Sequence, residues 1–424
     1  MAKTITGKQV GDSYYRVEHP SGLTVLLYPK EHCSTTYAIF GTRYGSIDNC
    51  FQRSDEAGPE SVPEGIAHYL EHKLFESEEG DAFERFSKTG ASANAFTSFE
   101  STCYLFSTTD QVYQSLEILL DFVQSPYFTE ETVRKEQGII GQEIKMYDDD
   151  PQWRVMFNYL KAMYHSHPIR EDIAGTVESI AKITPELLYR CYNTFYNLGN
   201  MVLAIAGNFQ VDKALAVCDK MLKPAAPVTV KRVFPQEPDT IVQPVVEERL
   251  SVASPLFQFG FKEPGADQPR SEKDVAATEV LLETLASDAS PLFRRLLDQG
   301  LVNESSFSYE YFEGNGYATV MFSGESKDPQ AVAQAILEEV ERFQREGIPA
   351  EAFERSKRAL YGELVAALNS TGSIANGLVN MHLKGRELFT YIDSLASLRL
   401  EDGEERLRQV FQRERSVLSV ILPH

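Results

Sequence analysis

Hydrophobic positions along the chain fall into two patterns of different period. Short apolar runs at 23–28, 37–40, 103–107, 201–206 and 319–323 are rich in β-branched and aromatic residues. Runs of that length and make-up predict strands, and 201–206, closed by Gly207, predicts a buried one. Longer segments at 110–124, 129–147 and 185–195 carry apolar residues at helical spacing and predict helices. Thr184 stands before Pro185, where its hydroxyl can cap the first turn of the last of these. This mixture predicts an α+β fold, an antiparallel-rich sheet covered by helices.

The pattern occurs twice. Residues 83–95 (FERFSKTGASANA) and 293–305 (FRRLLDQGLVNES) each read as a helix that ends on a glycine and gives way to strand-forming residues. The glycines, Gly90 and Gly300, stand 210 positions apart, and an apolar helix precedes each at that same offset, 67–75 and 277–285. A strand follows each, 103–107 and 319–323. The shared order of helix, glycine and strand predicts two similar tandem α/β-sandwich domains. Between 223 and 248 lie five of the 20 prolines: Pro224, Pro227, Pro235, Pro238 and Pro244. Proline removes a backbone donor and stops helices, so this stretch predicts a linker. The expected organisation is a domain over 1–222, a linker over 223–248 and a second domain over 249–424.

Composition narrows the function classes. With 42% hydrophobic and 24% charged residues in 424, the chain has the make-up of a globular protein, longer than one ordinary core. Its 41 basic and 62 acidic residues give a net charge of -21, which argues against nucleic acid or an anionic membrane as partner. Peptides, basic ones best, are compatible with it. The five cysteines, Cys33, Cys50, Cys103, Cys191 and Cys218, are odd in number and form no C-x-x-C pair. That fits a reducing compartment better than a disulfide framework. No apolar stretch backs the N-terminal charge and no run of about eighteen apolar residues occurs, so the expected location is the cytoplasm.

The chemistry concentrates in residues 65–75, GIAHYLEHKLF. Ser61 and Pro63 are suited to open a helix just ahead of it. Ile66, Leu70 and Leu74 form one stripe at a spacing of four, extended by Ala67 and Phe75 toward a core. His68, Glu71 and His72 form a second stripe at i, i+3 and i+4, so both imidazoles can meet one ion with the carboxylate beside it. Zinc takes nitrogen ligands at this reach and, in catalytic sites, keeps a position open for water. This is the H-x-x-E-H arrangement of the inverted zincins. Chance alone produces it in about one chain in fifty of this composition. A third ligand is needed, and the predicted helix at 129–147 offers Glu136 and Glu143, seven residues apart on one face. One of them can bind the metal while the other supports it or relays a proton. Glu71 would then take a proton from the activated water and pass it to a leaving amine, which is peptide hydrolysis.

Other features read as structure. Tyr104 on its strand reads as packing, His165 and His167 as loop or capping residues, and Asp148-Asp149-Asp150-Pro151 as a helix terminus.

His68-Tyr69-Leu70-Glu71-His72, followed some seventy residues later by Glu136 and Glu143, resembles the pitrilysin family of zinc metallopeptidases. That family includes insulin-degrading enzyme, the mitochondrial processing peptidases and two-domain bacterial peptidases. The repeated halves and the proline-rich joint are similar to it as well, and residues 90–97, GASANAFT, resemble its active-site edge strand. The resemblance implies His68, His72 and Glu143 as zinc ligands, Glu71 as general base and Glu136 as the supporting acid. It implies that Asn94 and Ala95 meet the backbone of a peptide bound as an extended strand in a closed chamber. One departure stands out. The family places an arginine and, seven residues later, a tyrosine in its second half, where they hold substrate. Here Arg295 can take the first role, but Val302 stands seven later and the next tyrosine is Tyr309. Thr278 and Leu282 occupy the positions offset from His68 and His72. The resemblance therefore implies a homodimer or a heterodimer with a homologous subunit that supplies the missing pair. The alternatives are a catalytic subunit inactive alone, confined to one processing or leader peptide, and a non-catalytic peptide-binding subunit.

Overall fold

The computed structural model describes residues 2–78, 80–265 and 270–424. The apolar runs become central strands. β1 (Lys3–Thr6), β2 (Ser13–Glu18), β3 (Thr24–Pro29), β4 (Thr36–Thr42), β5 (Ser92–Thr97), β6 (Thr102–Thr108) and β7 (Met201–Gly207) form one sheet. Its order is β1-β2-β3-β7-β4-β6-β5. Only β3 and β7 run parallel, and every residue of β7 is buried, as its unbroken apolar sequence requires. β5 ends the sheet, so among the described residues one row of its backbone groups has no strand beside it.

A second sheet repeats this plan. β8 (Val245–Leu250), β9 (Leu256–Lys262), β10 (Ser308–Gly314), β11 (Tyr317–Glu325) and β12 (Ser416–Pro423) lie in the order β8-β12-β9-β11-β10. Again the last strand in sequence sits between one parallel and one antiparallel neighbour, β8 and β9. β5 and β10 hold corresponding edges. Gly90 and Gly300 both close their helices with φ in the left-handed region, 72° and 59°. β5 then starts two residues on and β10 eight, so the constant offset ends at the glycines.

The helices predicted at 110–124 and 185–195 are Val112–Val123 and Pro185–Phe195, and Thr184 Oγ1 accepts the Leu187 N–H at 3.3 Å. Five helices matter below: α1 (Ile66–Leu74), α2 (Glu130–Asp148), α3 (Pro151–Met163), α4 (Glu272–Ala286) and α5 (Thr371–Leu383). Two of them correct the expected division of the chain. The compact units are Met1–Ile144 with Glu171–Val233 and Val365–Thr390, and Lys145–Arg170 with Phe234–Leu364 and Tyr391–His424. α3 precedes the proline-rich stretch but packs on β12 and β9, while α5 follows it and packs on β7 and β4. Each unit thus borrows a helix from the other half of the sequence, and no single cut separates them. Nor is 223–248 a free linker. Val230–Arg232 pairs with Cys50–Arg53 in the first unit, and β8 begins at Val245 in the second. Proline bars helix interiors and central strands but tolerates edge pairing, and both strands fall in proline-free stretches. Among the described residues, no helix is long and apolar enough to cross a membrane.

Candidate metal centre

α1 starts for a reason that its sequence hides. Ser61 lies in a two-residue strand, Glu60–Ser61, and neither it nor Pro63 caps the helix. The cap is Gly65 at φ 84°, without a side-chain bond, and a Cβ there would lie 2.3 Å from the Ala174 carbonyl oxygen. Only glycine accepts both the conformation and the contact. Past it, the predicted stripe of Ile66, Ala67, Leu70, Leu74 and Phe75 is buried, and so is Tyr69. The Tyr69 hydroxyl donates to the Val133 carbonyl and so ties α1 to α2.

That contact brings the two helices' polar faces together. His68 Nε2 stands 3.7 Å from Glu143 Oε1, and His72 Nε2 stands 3.4 Å from Glu143 Oε2. One ligand atom from each of the three residues lies within 4.8 Å of the others, the one such group among the described residues. Nε2 and carboxylate oxygen at these separations are too far apart for a good N–H···O bond. Ligands about 2.0–2.1 Å from a tetrahedral zinc lie roughly 3.4 Å from one another, close to the 3.4 and 3.7 Å between the imidazoles and Glu143. His72 Nδ1 lies 3.0 Å from Glu136 Oε1. A carboxylate can only accept there, so Nδ1 carries the proton and the Nε2 lone pair turns toward Glu143. The donor set therefore fits a zinc ion.

Electrostatics favour a cation at the same place. Burial, then the neighbouring His72, pushes the His68 imidazole down to about 4, so it stays neutral at physiological pH. Burial opposes an imidazolium at His72 too, but the bond to Glu136 and the carboxylates of Glu71 and Glu143 outweigh it and raise its pKa. Glu71 is itself raised, by burial, against a lowering hydrogen bond from Thr97. The Thr97 Oγ1 donates to Glu71 Oε2 at 2.6 Å. Sequence reading did not single out Thr97, because a threonine ending a strand carries no signal of its own.

Of the other expected residues, Asn94 and Ala95 lie on β5 outside the histidine–glutamate cluster. Asn94 is exposed, with Oδ1 accepting the Ala95 N–H at 2.9 Å, and Ala95 is half-buried on the face that carries Thr97.

Residues 60–177 match the model of Insulinase (Peptidase family M16), and residues 182–360 match that of the Peptidase M16 inactive domain. The chain is 39% identical over 428 residues to a Bacillus subtilis (strain 168) protein named uncharacterized zinc protease YmfH, covering 100% of both. The chain belongs to peptidase family M16. Its fold matches the crystal structure of an M16-like peptidase from Alicyclobacillus acidocaldarius at TM-score 0.91 and 35% identity, over 100% of this chain and 98% of that one. Pitrilysin shares the fold at TM-score 0.75 and 15% identity, over 99% of this chain and 46% of its own.

The half of this M16 chain that matches the inactive-domain model holds none of these donors at the offset positions. Thr278 on α4 donates to the Asp274 carbonyl at 2.7 Å and accepts from Arg406 Nε at 2.7 Å, and Leu282 is buried. Arg406 also meets Glu263 Oε2 at 2.7 Å. Arg295 donates to the Ala335 carbonyl at 2.8 Å, Val302 is buried, and the Tyr309 hydroxyl donates to Glu283 at 2.5 Å. The residues read as structural are so placed. Tyr104 is buried and shares a 2.8 Å bond with the Tyr196 hydroxyl. His167 is buried, its Nδ1 accepting from Ile169 N–H at 3.1 Å and its Nε2 donating to the Asn315 carbonyl at 2.9 Å. Asp150 caps α3 through the N–H groups of Gln152 and Trp153.

Proposed function

We propose that the chain is a zinc-dependent endopeptidase. The observation that carries this reading is the apposition of His68 Nε2 and His72 Nε2 to the Glu143 carboxylate at 3.7 and 3.4 Å. Two nitrogen lone pairs and a carboxylate at ligand spacing are a costly arrangement without a cation among them. His68, His72 and Glu143 would hold the ion, which when bound supplies positive charge to polarise a carbonyl and activate water. Glu136 orients His72 through Nδ1. Glu71 takes the water's proton and delivers it to the leaving amine, a role its raised pKa suits. The free edge of β5, around Asn94 and Ala95, pairs with the substrate backbone, which selects extended peptides or unfolded segments. The five free cysteines support a cytoplasmic location.

A second reading is favoured by the second unit. Arg295 is bonded to a carbonyl and Val302 is buried where a tyrosine would be expected. The chain would then be the metal-bearing subunit of a dimer, with a homologous partner supplying the arginine and tyrosine.

Cleavage of a mixed quenched-peptide set by the zinc-loaded chain, beside Glu71→Gln, tests both. Turnover by the chain alone, lost on the order of 10²–10⁴-fold in Glu71→Gln with zinc retained, establishes a self-sufficient peptidase. Zinc bound without turnover, restored by a homologous partner, establishes the dimer. A folded chain that takes up no zinc refutes both.

A further inference from the structure

Thr97 ends β5, the strand whose outer edge is open, and its hydroxyl lies 2.6 Å from Glu71 Oε2. That length is typical of a charge-assisted O–H···O⁻ bond. A hydroxyl has one hydrogen, so its direction has to be settled. The other neighbour is Thr102 Oγ1 on β6, 3.4 Å away. Thr102 commits its own hydrogen to the buried Tyr44 carbonyl at 2.9 Å, and a carbonyl can only accept. Thr97 thus receives no competing donor from Thr102, and its hydrogen goes to the shorter contact, the Glu71 carboxyl oxygen.

The structure assigns to Thr97 the role of positioning residue for the base: its hydroxyl holds Glu71 Oε2 against the edge strand and leaves Oε1 as the oxygen that takes the proton. The proposal rests on the reading of Glu71 as the base. Its consequence is geometric. Asn94 and Ala95, where an extended peptide would pair, stand only three and two residues before Thr97 on the same strand. Base and substrate are therefore referenced to one rigid element, and a displacement of β5 carries both together. A base oriented only by its own helix would lack that coupling, and small misplacements of a reacting group are costly in rate.

Two substitutions separate this role from packing. Thr97→Val keeps the shape and removes the hydroxyl, and Thr97→Ser keeps the hydroxyl. The first readout is independent of turnover: crystal structures of both variants, with and without zinc. Glu71 should leave its position or occupy several rotamers in Thr97→Val and return to it in Thr97→Ser. The second is the kcat and KM split of the zinc-loaded protein, with its homologous partner if one is required. Thr97→Val should lower kcat on the order of 10- to 100-fold with KM within about twofold and zinc content unchanged, and Thr97→Ser should restore most of it. Glu71 unmoved in Thr97→Val, or Thr97→Ser as impaired as Thr97→Val, overturns the proposal. Peptide cleavage that survives Glu71→Gln overturns the reading of Glu71 as the base instead, and the crystal structures still decide whether Thr97 holds Glu71.

Discussion

The two units of this protein carry one strand plan and two chemistries. In the first, α1 presents His68, Glu71 and His72 to Glu136 and Glu143 on α2. In the second, the corresponding helix α4 presents Thr278 and Leu282, and the polar group that reaches Thr278 from outside the helix is Arg406, already paired with Glu263. Both solve the same problem, since a buried polar group needs a partner. The second unit closes its network with side chains alone, Glu263 meeting Arg406, Arg270 and the Tyr311 hydroxyl. The first leaves two nitrogens and a carboxylate aimed at each other, an arrangement completed by a cation. The difference teaches that the sheet and its helices are indifferent to the chemistry, which depends on a few side chains on one helix face.

The comparison can be broken most severely by making the first unit resemble the second. His72→Leu should reduce bound zinc from near one per chain to below about a tenth, with peptide cleavage lost, as metal analysis and the quenched-peptide assay would show. Persistence of stoichiometric zinc would mean that the metal sits elsewhere. Opening the second unit's network is expected to cost stability and no zinc. Arg406→Met removes one of the two guanidinium partners of the buried Glu263, the other being Arg270 at 2.9 Å, and should lower unfolding free energy by about 1–3 kcal/mol in urea titrations, with zinc content unchanged. A loss of zinc at full stability would contradict the separation of roles.

A finer probe is Glu136→Gln, which weakens the acceptor on His72 Nδ1. Zinc affinity should fall 10- to 100-fold, on the order of the usual effect for such supporting groups, in a competition titration with a chromophoric chelator. Unaltered affinity would show that Glu136 does not orient the ring. The smallest expected effect contrasts two buried histidines. Burial holds His167 down to about 4, below its usual value of ~6.5 in an unfolded chain. The unfolded state therefore binds the extra proton between these values, so stability is unaffected above ~6.5 and is lost as pH falls toward 4. Urea midpoints at pH 7 and 5 should show a shallower acid loss in His167→Gln than in the parent. His68 is held down to about 4 as well, and because zinc binds only the neutral imidazole, added zinc should deepen the acid loss at the metal centre and leave that of His167 untouched.

Much of the fold was legible along the chain. The apolar runs at 201–206 and 37–40 lie at the centre of their sheet, since strands buried on both faces must be continuously apolar. The Thr184–Pro185 start of a helix was legible because capping is a local matter of one hydroxyl and one turn. What misled was local chemistry overruled from a distance. Ser61 and Pro63 suit a helix start, but the Ala174 carbonyl against Gly65 sets the actual one. The prolines of 223–248 suit a linker, but backbone partners at Cys50–Arg53 and Ser416–Pro423 draw parts of it into strands.

The spacing of His68, Glu71 and His72 was determined by sequence alone, because one helix turn relates them and needs no other element. So was the presence of two glutamates two turns apart on a second helix. Which of those glutamates meets both imidazoles and which holds the outer nitrogen of His72 was decided only when α1 packed on α2. That packing depends on the Tyr69–Val133 contact and on apolar burial, both of which join residues distant in the chain. The recruitment of α3 and α5 from the opposite half of the sequence, and the hydroxyl of Thr97 on Glu71, belong to the same class. Period and capping act over a few residues and can be read along the chain, whereas contacts between elements are settled by shape and burial across the whole core.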